Sequence, residues 1–382
     1  MIKSDLPNGS HNTLCVHAGQ HTGEFGGINT PVYTSTSYGY LDTEDRLYPR
    51  YFNIPNQKAV IDKVAALEKA ETGILFSSGM AAVSSTLLSL LSKGDHCLFQ
   101  SGLYGGTIHF IQHEFERFGI DHTILKSNEP ESFARAIKKN TKVIYVESPS
   151  NPLLSIIDLR AIAQLCKKYG IVSVIDNTFA SPINQNPITF GIDIVLHSAT
   201  KYLGGHSDIC AGVVVSSAPY IQRITQTSMS LGGSLNALMC YLLERSIKTM
   251  GIRVERQNRN AGEIALFLQQ HHSIERVFYP GLEAHPNHAI AASQMSGFGG
   301  MLSFELKGQD TTAFQKRLKL IKPAMSLGGV ETIICAPVTT SHRLVPKAQR
   351  EEEGIRDNLL RLSVGIEEVK DLVDDLKNAL TL

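Results

Sequence analysis

His197-Ser198-Ala199-Thr200-Lys201-Tyr202-Leu203-Gly204-Gly205-His206 sets one lysine among hydroxyls and ahead of two glycines. It follows an apolar run, Ile192 to Leu196, broken only by Asp193. An amine so placed can hold a phosphorylated aldehyde, with Ser198 and Thr200 as phosphate donors and the glycines letting backbone come close. Taken alone, the stretch fits a surface lysine in a loop equally well. A second stretch decides between them. Asp176, in Val174-Ile175-Asp176-Asn177-Thr178, ends another strand-like run upstream. A carboxylate there can pair with a protonated pyridine nitrogen and make the ring an electron sink. Strand, aspartate, strand, lysine, in that order, reads as a site for pyridoxal phosphate (PLP).

Three further stretches bear on such a site. Gly73-Ile74-Leu75-Phe76-Ser77 is a short apolar strand running into Ser78-Gly79-Met80 and a helix through Leu91. A helix N-terminus presents free amides to anions, although a plain strand–helix turn has the same look. Tyr48 and Arg50 stand two apart, so in extended chain they point the same way. A phenol and an arginine fork are good phosphate donors; a loop with a solvated arginine is the alternative. Arg361 puts a charge in the middle of the apolar strand Leu359–Val364. If buried it should face a carboxylate, and an internal aspartate could serve.

From about Thr30 to the C-terminus these separated motifs resemble the cystathionine/methionine-metabolism family of PLP enzymes. That family holds cystathionine lyases, cystathionine γ-synthase, methionine γ-lyase and O-acylhomoserine sulfhydrylases. The resemblance implies an α/β chain of PLP-dependent transferase fold type I, aspartate aminotransferase-like, with a mostly parallel large domain and a smaller C-terminal α/β domain. It implies Lys201 as the PLP lysine, Asp176 at the ring nitrogen, and Tyr104 stacked on the ring. Asn151 would sit near the ring hydroxyl, and Gly79, Met80, Ser198 and Thr200 would cradle the phosphate. Tyr48 and Arg50 would reach the phosphate of a neighbouring subunit. For the substrate it implies a bidentate grip on the α-carboxylate by Arg361, positioning by Ser326, and Asn151 and Met325 nearby. Freed Lys201 would take the α-proton, and Tyr104 and the neighbour's Tyr48 would move protons in elimination. The implied activity is a cytoplasmic lyase that cleaves a C–S bond of cystathionine or a related sulfur amino acid. Further copies of the chain are the implied protein partners, in a homotetramer built as two dimers.

The chain departs from the family at three places. Several cystathionine-processing members carry glutamate where this chain has Met325, and often arginine where it has His109. Methionine γ-lyases carry a cysteine where it has Gly106, which argues against that specialisation. An apolar Met325 suits a less polar distal substituent or β-elimination. γ-Replacement, as in cystathionine γ-synthase or O-acylhomoserine sulfhydrylase, is the alternative within the family. A catalytically silent binding module and an aminotransferase are the alternatives outside it.

These residues need elements to hold them. Apolar strands at Gly73–Ser77, His96–Gln100, His122–Leu125, Lys142–Glu147 and up to Asp176 alternate with helices ending near Ala70, Leu91, Phe118, Lys138 and Tyr169. That alternation predicts a mostly parallel sheet with helices on both faces, and ligands bind outside the carboxyl ends of its strands. Residues 1–57, rich in turn formers, read as an extended arm contacting a neighbouring subunit. Residues 58–250 read as the PLP-binding domain, with a boundary near Gly251, and 251–382 as the C-terminal domain. A zero formal net charge gives no electrostatic case for nucleic acid or an anionic membrane. Met1 to Asp5 lack a signal-peptide core, and no apolar run approaches the ~20 residues of a bilayer span. Six scattered cysteines without a Cys-x-x-Cys pair read as buried free thiols, and fourteen histidines without convergent spacing as non-ligands, so no metal is expected.

Overall fold

Strands whose alternate residues are all apolar can be covered on both faces, and the first half of the chain is built on this rule. The computed structural model describes residues 9–41, 43–343 and 345–381. The reading of Met1 to Asp5, and the first eight residues of the arm, lie outside the described residues. The large sheet holds β1 (Thr72–Phe76), β2 (His96–Phe99), β3 (Asp121–Ile124), β4 (Thr141–Glu147), β5 (Val172–Asp176), β6 (Ile194–His197) and β7 (Gly212–Ser216). Their order is β1-β7-β6-β5-β4-β2-β3, and only β7 runs against its neighbours. Leu75, Ile144, Ile175, Val195 and Val213 enter a core on one face. Ile74, Phe76, Val143, Tyr145, Val174 and Leu196, one residue out of phase, enter a core on the other.

A second sheet holds β8 (Ile274–Phe278), β9 (Met301–Leu306), β10 (Lys322–Pro323), β11 (Ile333–Cys335) and β12 (Leu359–Ser363), in the order β10-β11-β12-β9-β8. Leu302, Phe304, Leu360 and Leu362 form its own core with Leu372 and Leu376 of the last helix, Val369–Leu380. Helix Met250–Gln270 spans the two halves. Met250 and Val254 belong to the first core, while Ala261, Ile264 and Leu268 belong to that of the second sheet. Gly251 therefore sits in the first turn of one continuous helix, where a Cβ would meet the Asn12 side chain at 1.8 Å.

Two sequence readings need correction. The first 57 residues are not extended throughout: His11–His17 form a helix, and Leu14 and Cys15 enter the large core. Buried Lys63 fastens that helix by donating to the carbonyls of Cys15 and Val16. Cys210 is exposed, whereas the other five cysteines are buried, and all six are free. Cys210 lies just before β7, the one strand that enters the sheet from the edge at which its neighbours end.

Candidate active site

The carboxyl ends of β1, β2, β4, β5 and β6 open into one cavity of about 1150 Å³. Ser78, Gly79, Met80, Tyr104, Asn151, Asp176, Ser198, Thr200, Lys201, Met325, Ser326 and Arg361 all line it. Ser78 caps helix Gly79–Leu90, its Oγ accepting from the Ala81 amide at 3.0 Å. The amides of the first turn face the loop of β6 across a tight gap: a Cβ on Gly79 would lie 2.8 Å from that of Ser198. Glycine is required there for the close approach of two backbones. Thr200 has its hydroxyl tied to the Ala211 backbone as donor (3.2 Å) and acceptor (3.1 Å). Of the two loop hydroxyls, Ser198's is the freer to meet a phosphate.

Asp176 ends β5. Its Oδ1 accepts from both the amide and the hydroxyl of Thr178, and that hydroxyl accepts from the Ser198 amide at 2.8 Å. Carboxylate, Thr178 and the loop that follows β6 are thereby held in one register. Burial pushes the Asp176 carboxyl up, and the Thr178 donors pull it back. Its neighbour across the ladder is Glu147, which ends β4 and is buried. Both Glu147 oxygens accept from the Tyr104 amide, at 2.9 and 3.1 Å. That contact fixes the start of helix Gly105–Phe118 and the root of the Tyr104 ring. Burial, and then the charge of Asp176, raise Glu147 well above the ordinary carboxylate range. Glu147 and Thr178 are site residues that the sequence reading passed over. Their signal was available: Glu147 closes an apolar strand as Asp176 closes the next, and Thr178 follows Asp176 by two.

Lys201 Nζ donates to Ser326 Oγ at 2.8 Å. Burial, and then the cationic Arg361, lower its pKa to about 8. Ser326 has a left-handed φ of +93°, a strained value for a side-chain-bearing residue. Its carbonyl accepts from Arg361 Nη2 at 3.1 Å, so one residue registers both lysine and arginine. Arg361 is only 5% exposed, and its Nη1 donates to Asn151 Oδ1 at 2.9 Å. Among the described residues no carboxylate pairs with it, so the internal aspartate that was the alternative to a substrate carboxylate is not there. A buried guanidinium with neutral partners only is costly, and its demand is for an anion.

Tyr48 and Arg50 do not join this cavity. They line a separate hollow with Tyr38, Tyr40, Arg46 and Tyr51, where Arg50 donates to the Met229 carbonyl at 2.6 Å. Met325 is 70% exposed at the cavity rim.

An amine with lowered pKa, a buried carboxylate, a helix N-terminus closed down on the loop after β6 and a buried guanidinium fit PLP and an amino acid together. The fold and this site are those of a PLP-dependent enzyme of fold type I. The chain belongs to the Cys/Met metabolism PLP-dependent enzyme family, whose model matches residues 12–381. It is 41% identical to the cystathionine gamma-lyase of Bacillus subtilis over 96% of this chain and 98% of that one. It is also 41% identical to the cystathionine beta-lyase of Lactococcus lactis subsp. cremoris, over 97% and 99%. The crystal structure of metB from Corynebacterium glutamicum superposes with a TM-score of 0.94 at 39% identity, covering 98% of both chains.

Proposed function

We propose that this chain is a C–S lyase acting on cystathionine or a closely related sulfur amino acid in trans-sulfuration. The observation that carries the reading is the Lys201–Ser326–Arg361 connection. A buried guanidinium in want of a carboxylate is joined through one residue to an amine whose neutral form is available near neutral pH. Arg361 and Asn151 bind and orient the substrate carboxylate, which turns Cα towards Lys201. Ser326 Oγ positions Nζ, and once Lys201 is freed its neutral Nζ takes the proton from Cα. PLP, when bound, supplies the electron sink for the pair left behind. Asp176, fixed by Thr178, is the group that would face its ring nitrogen. Gly79, Met80 and Ser198 would hold its phosphate, and Tyr104, rooted on Glu147, would cover its ring. In elimination sulfur departs with the C–S bonding pair as a thiolate, directly from Cβ, or from Cγ once Lys201 or Tyr104 has taken a second proton from Cβ, and a proton from Tyr104 or Lys201 turns the thiolate into the thiol. Water then releases ammonia and a keto acid.

We infer further that the active unit is at least a dimer, and a tetramer of two such dimers. Tyr48 and Arg50 lie outside the cavity of their own chain, and the arm around them leaves Phe25, Ile28 and Leu41 largely exposed. We read residues 1–57 as this arm, 58–250 as the PLP-binding domain and 251–382 as the C-terminal domain, supported by two separate sheets. No helix among the described residues is long and apolar enough to cross a membrane. Six free cysteines support a reducing cytoplasm.

The test is a substrate panel read by keto acid, ammonia and thiol: cystathionine, cystine and methionine, with O-acetyl- and O-succinylhomoserine supplied alongside cysteine or sulfide. Keto acid from cystathionine is expected. Thioether or homocysteine from the homoserine esters, without keto acid from cystathionine, would replace elimination by γ-replacement.

A further inference from the structure

A second buried guanidinium, that of Arg253 on helix Met250–Gln270, takes no part in the chemistry above. Its Nη1 donates to the Tyr202 carbonyl at 3.0 Å, its Nη2 to the Ser246 carbonyl at 2.9 Å and its Nε to Thr249 Oγ1 at 3.3 Å. Ser246 lies in the last turn of helix Ala237–Ile247, where carbonyl dipoles favour a cation. Among the described residues no carboxylate bonds to Arg253. Burial lowers its pKa only to about 10, so it is charged at neutral pH. A buried cation held by neutral groups alone is a costly way to fasten a core.

What Arg253 fastens is the turn that bears Lys201. Tyr202 directly follows the lysine, and Gly205 comes three residues later with φ +69°. A Cβ on Gly205 would lie 1.8 Å from Arg253 Nη1 and 2.4 Å from its Cζ, so the guanidinium rests against the bare Cα. The Gly205 amide donates to the Lys201 carbonyl at 2.7 Å, and the Gly205 carbonyl accepts from the Val330 amide at 3.0 Å. Tyr202 Oη accepts from the Gly300 amide at 3.1 Å. The turn is thus pinned by Arg253 on one side and by the segments before β9 and β11 on the other. Ser326, the partner of Lys201 Nζ, belongs to that second half. We propose that Arg253 is a positioning residue for Lys201, setting the backbone of its turn so that Nζ meets Ser326 and the cofactor. This rests on Lys201 being the amine that holds PLP.

Arg253→Met keeps an unbranched stem and loses the fork. PLP is mixed with apoenzyme of wild type, R253M and K201A between about pH 6 and 10, and the capture rate and visible absorbance band are read. Urea unfolding of each apoenzyme is measured beside them. The groups that face Lys201, namely Arg361, Cys210 and Asp176, stay in place in R253M. A merely structural loss therefore lowers the unfolding midpoint and leaves the pH profile of capture alone. A displaced Nζ regains water, so the pH at which capture levels off is expected to rise from about 8 by at least about one unit. In the loaded protein kcat for cystathionine should fall at least ~10-fold with KM within ~2-fold of wild type, because Arg361 and Asn151 still hold the carboxylate. A wild-type pH profile in R253M overturns the proposal, whatever the stability. K201A with the wild-type band and capture rate instead removes the role of Lys201 on which it rests. Where R253M does not fold, Gly205→Ala, which drives a methyl onto the guanidinium from the turn, takes its place with the same expected shift and the same overturning result.

Discussion

Arg361 and Lys201 show how two residues of like charge are made useful by sharing a cavity. After burial, the guanidinium is what lowers the amine, and a lowered amine is the one that can serve as a base near neutral pH. Replacing Arg361 by lysine keeps the charge but removes the planar fork. We expect kcat/KM for cystathionine to fall ~100-fold, about 3 kcal/mol, with PLP content unchanged. The pH dependence follows from the direction of the Lys201 shift. A lowered pKa means that the neutral amine is present at lower pH than for an ordinary lysine. The rate at which apoenzyme captures PLP should therefore rise with pH and level off above about 8. A rate still climbing towards pH 10 would show an unperturbed amine. Met325 lies at the exposed rim of the cavity. Methionine cannot pair with an ammonium but packs against varied apolar groups, so several sulfur amino acids should be accepted. Met325→Glu should raise the share of cysteine and 2-oxobutanoate over homocysteine and pyruvate from cystathionine. An unchanged ratio moves distal selectivity elsewhere, with exposed His109 at the cavity wall the next residue to examine.

Among elements, the junction of β1 with helix Gly79–Leu90 is the one most constrained by its residues. Gly79→Ala pushes a methyl against Ser198, and should weaken PLP at least ~10-fold with an unchanged far-UV circular dichroism spectrum. This junction was legible in the sequence because a strand, a capping serine and a glycine are local signals. So were the strand ends that carry Tyr104, Asn151, Asp176 and Lys201. Helix Ala218–Leu231 went unread, as did β8 and β11, whose short or partly polar runs acquire strand character only from β9 and β12. The helix His11–His17 is hidden for a similar reason. Seven residues are too few to show a period, and Lys63 with the large core holds them. Arg253 and Gly205 were beyond reach for another cause: nothing in their separate stretches says that they meet.

At the scale of the molecule, two sheets meet over one cavity, which Lys201 enters from the first and Arg361 from the second. Separation of Tyr48 and Arg50 from that cavity has a consequence for mixed assemblies. Subunits carrying Lys201→Ala and subunits carrying Arg50→Ala should each be nearly inactive alone. Dissociated and reassembled together, they should regain up to about a quarter of wild-type activity, because one kind of shared site then has both residues. Hybrids no better than the parents would place Arg50 outside its neighbour's site. The most direct test of the central claim is the stoichiometry of products from L-cystathionine in one incubation with PLP-loaded protein. Keto acid, ammonia and thiol in equal amounts, all lost in Lys201→Ala, is the expected result. No keto acid above the Lys201→Ala blank would contradict the assignment of this site as a C–S lyase.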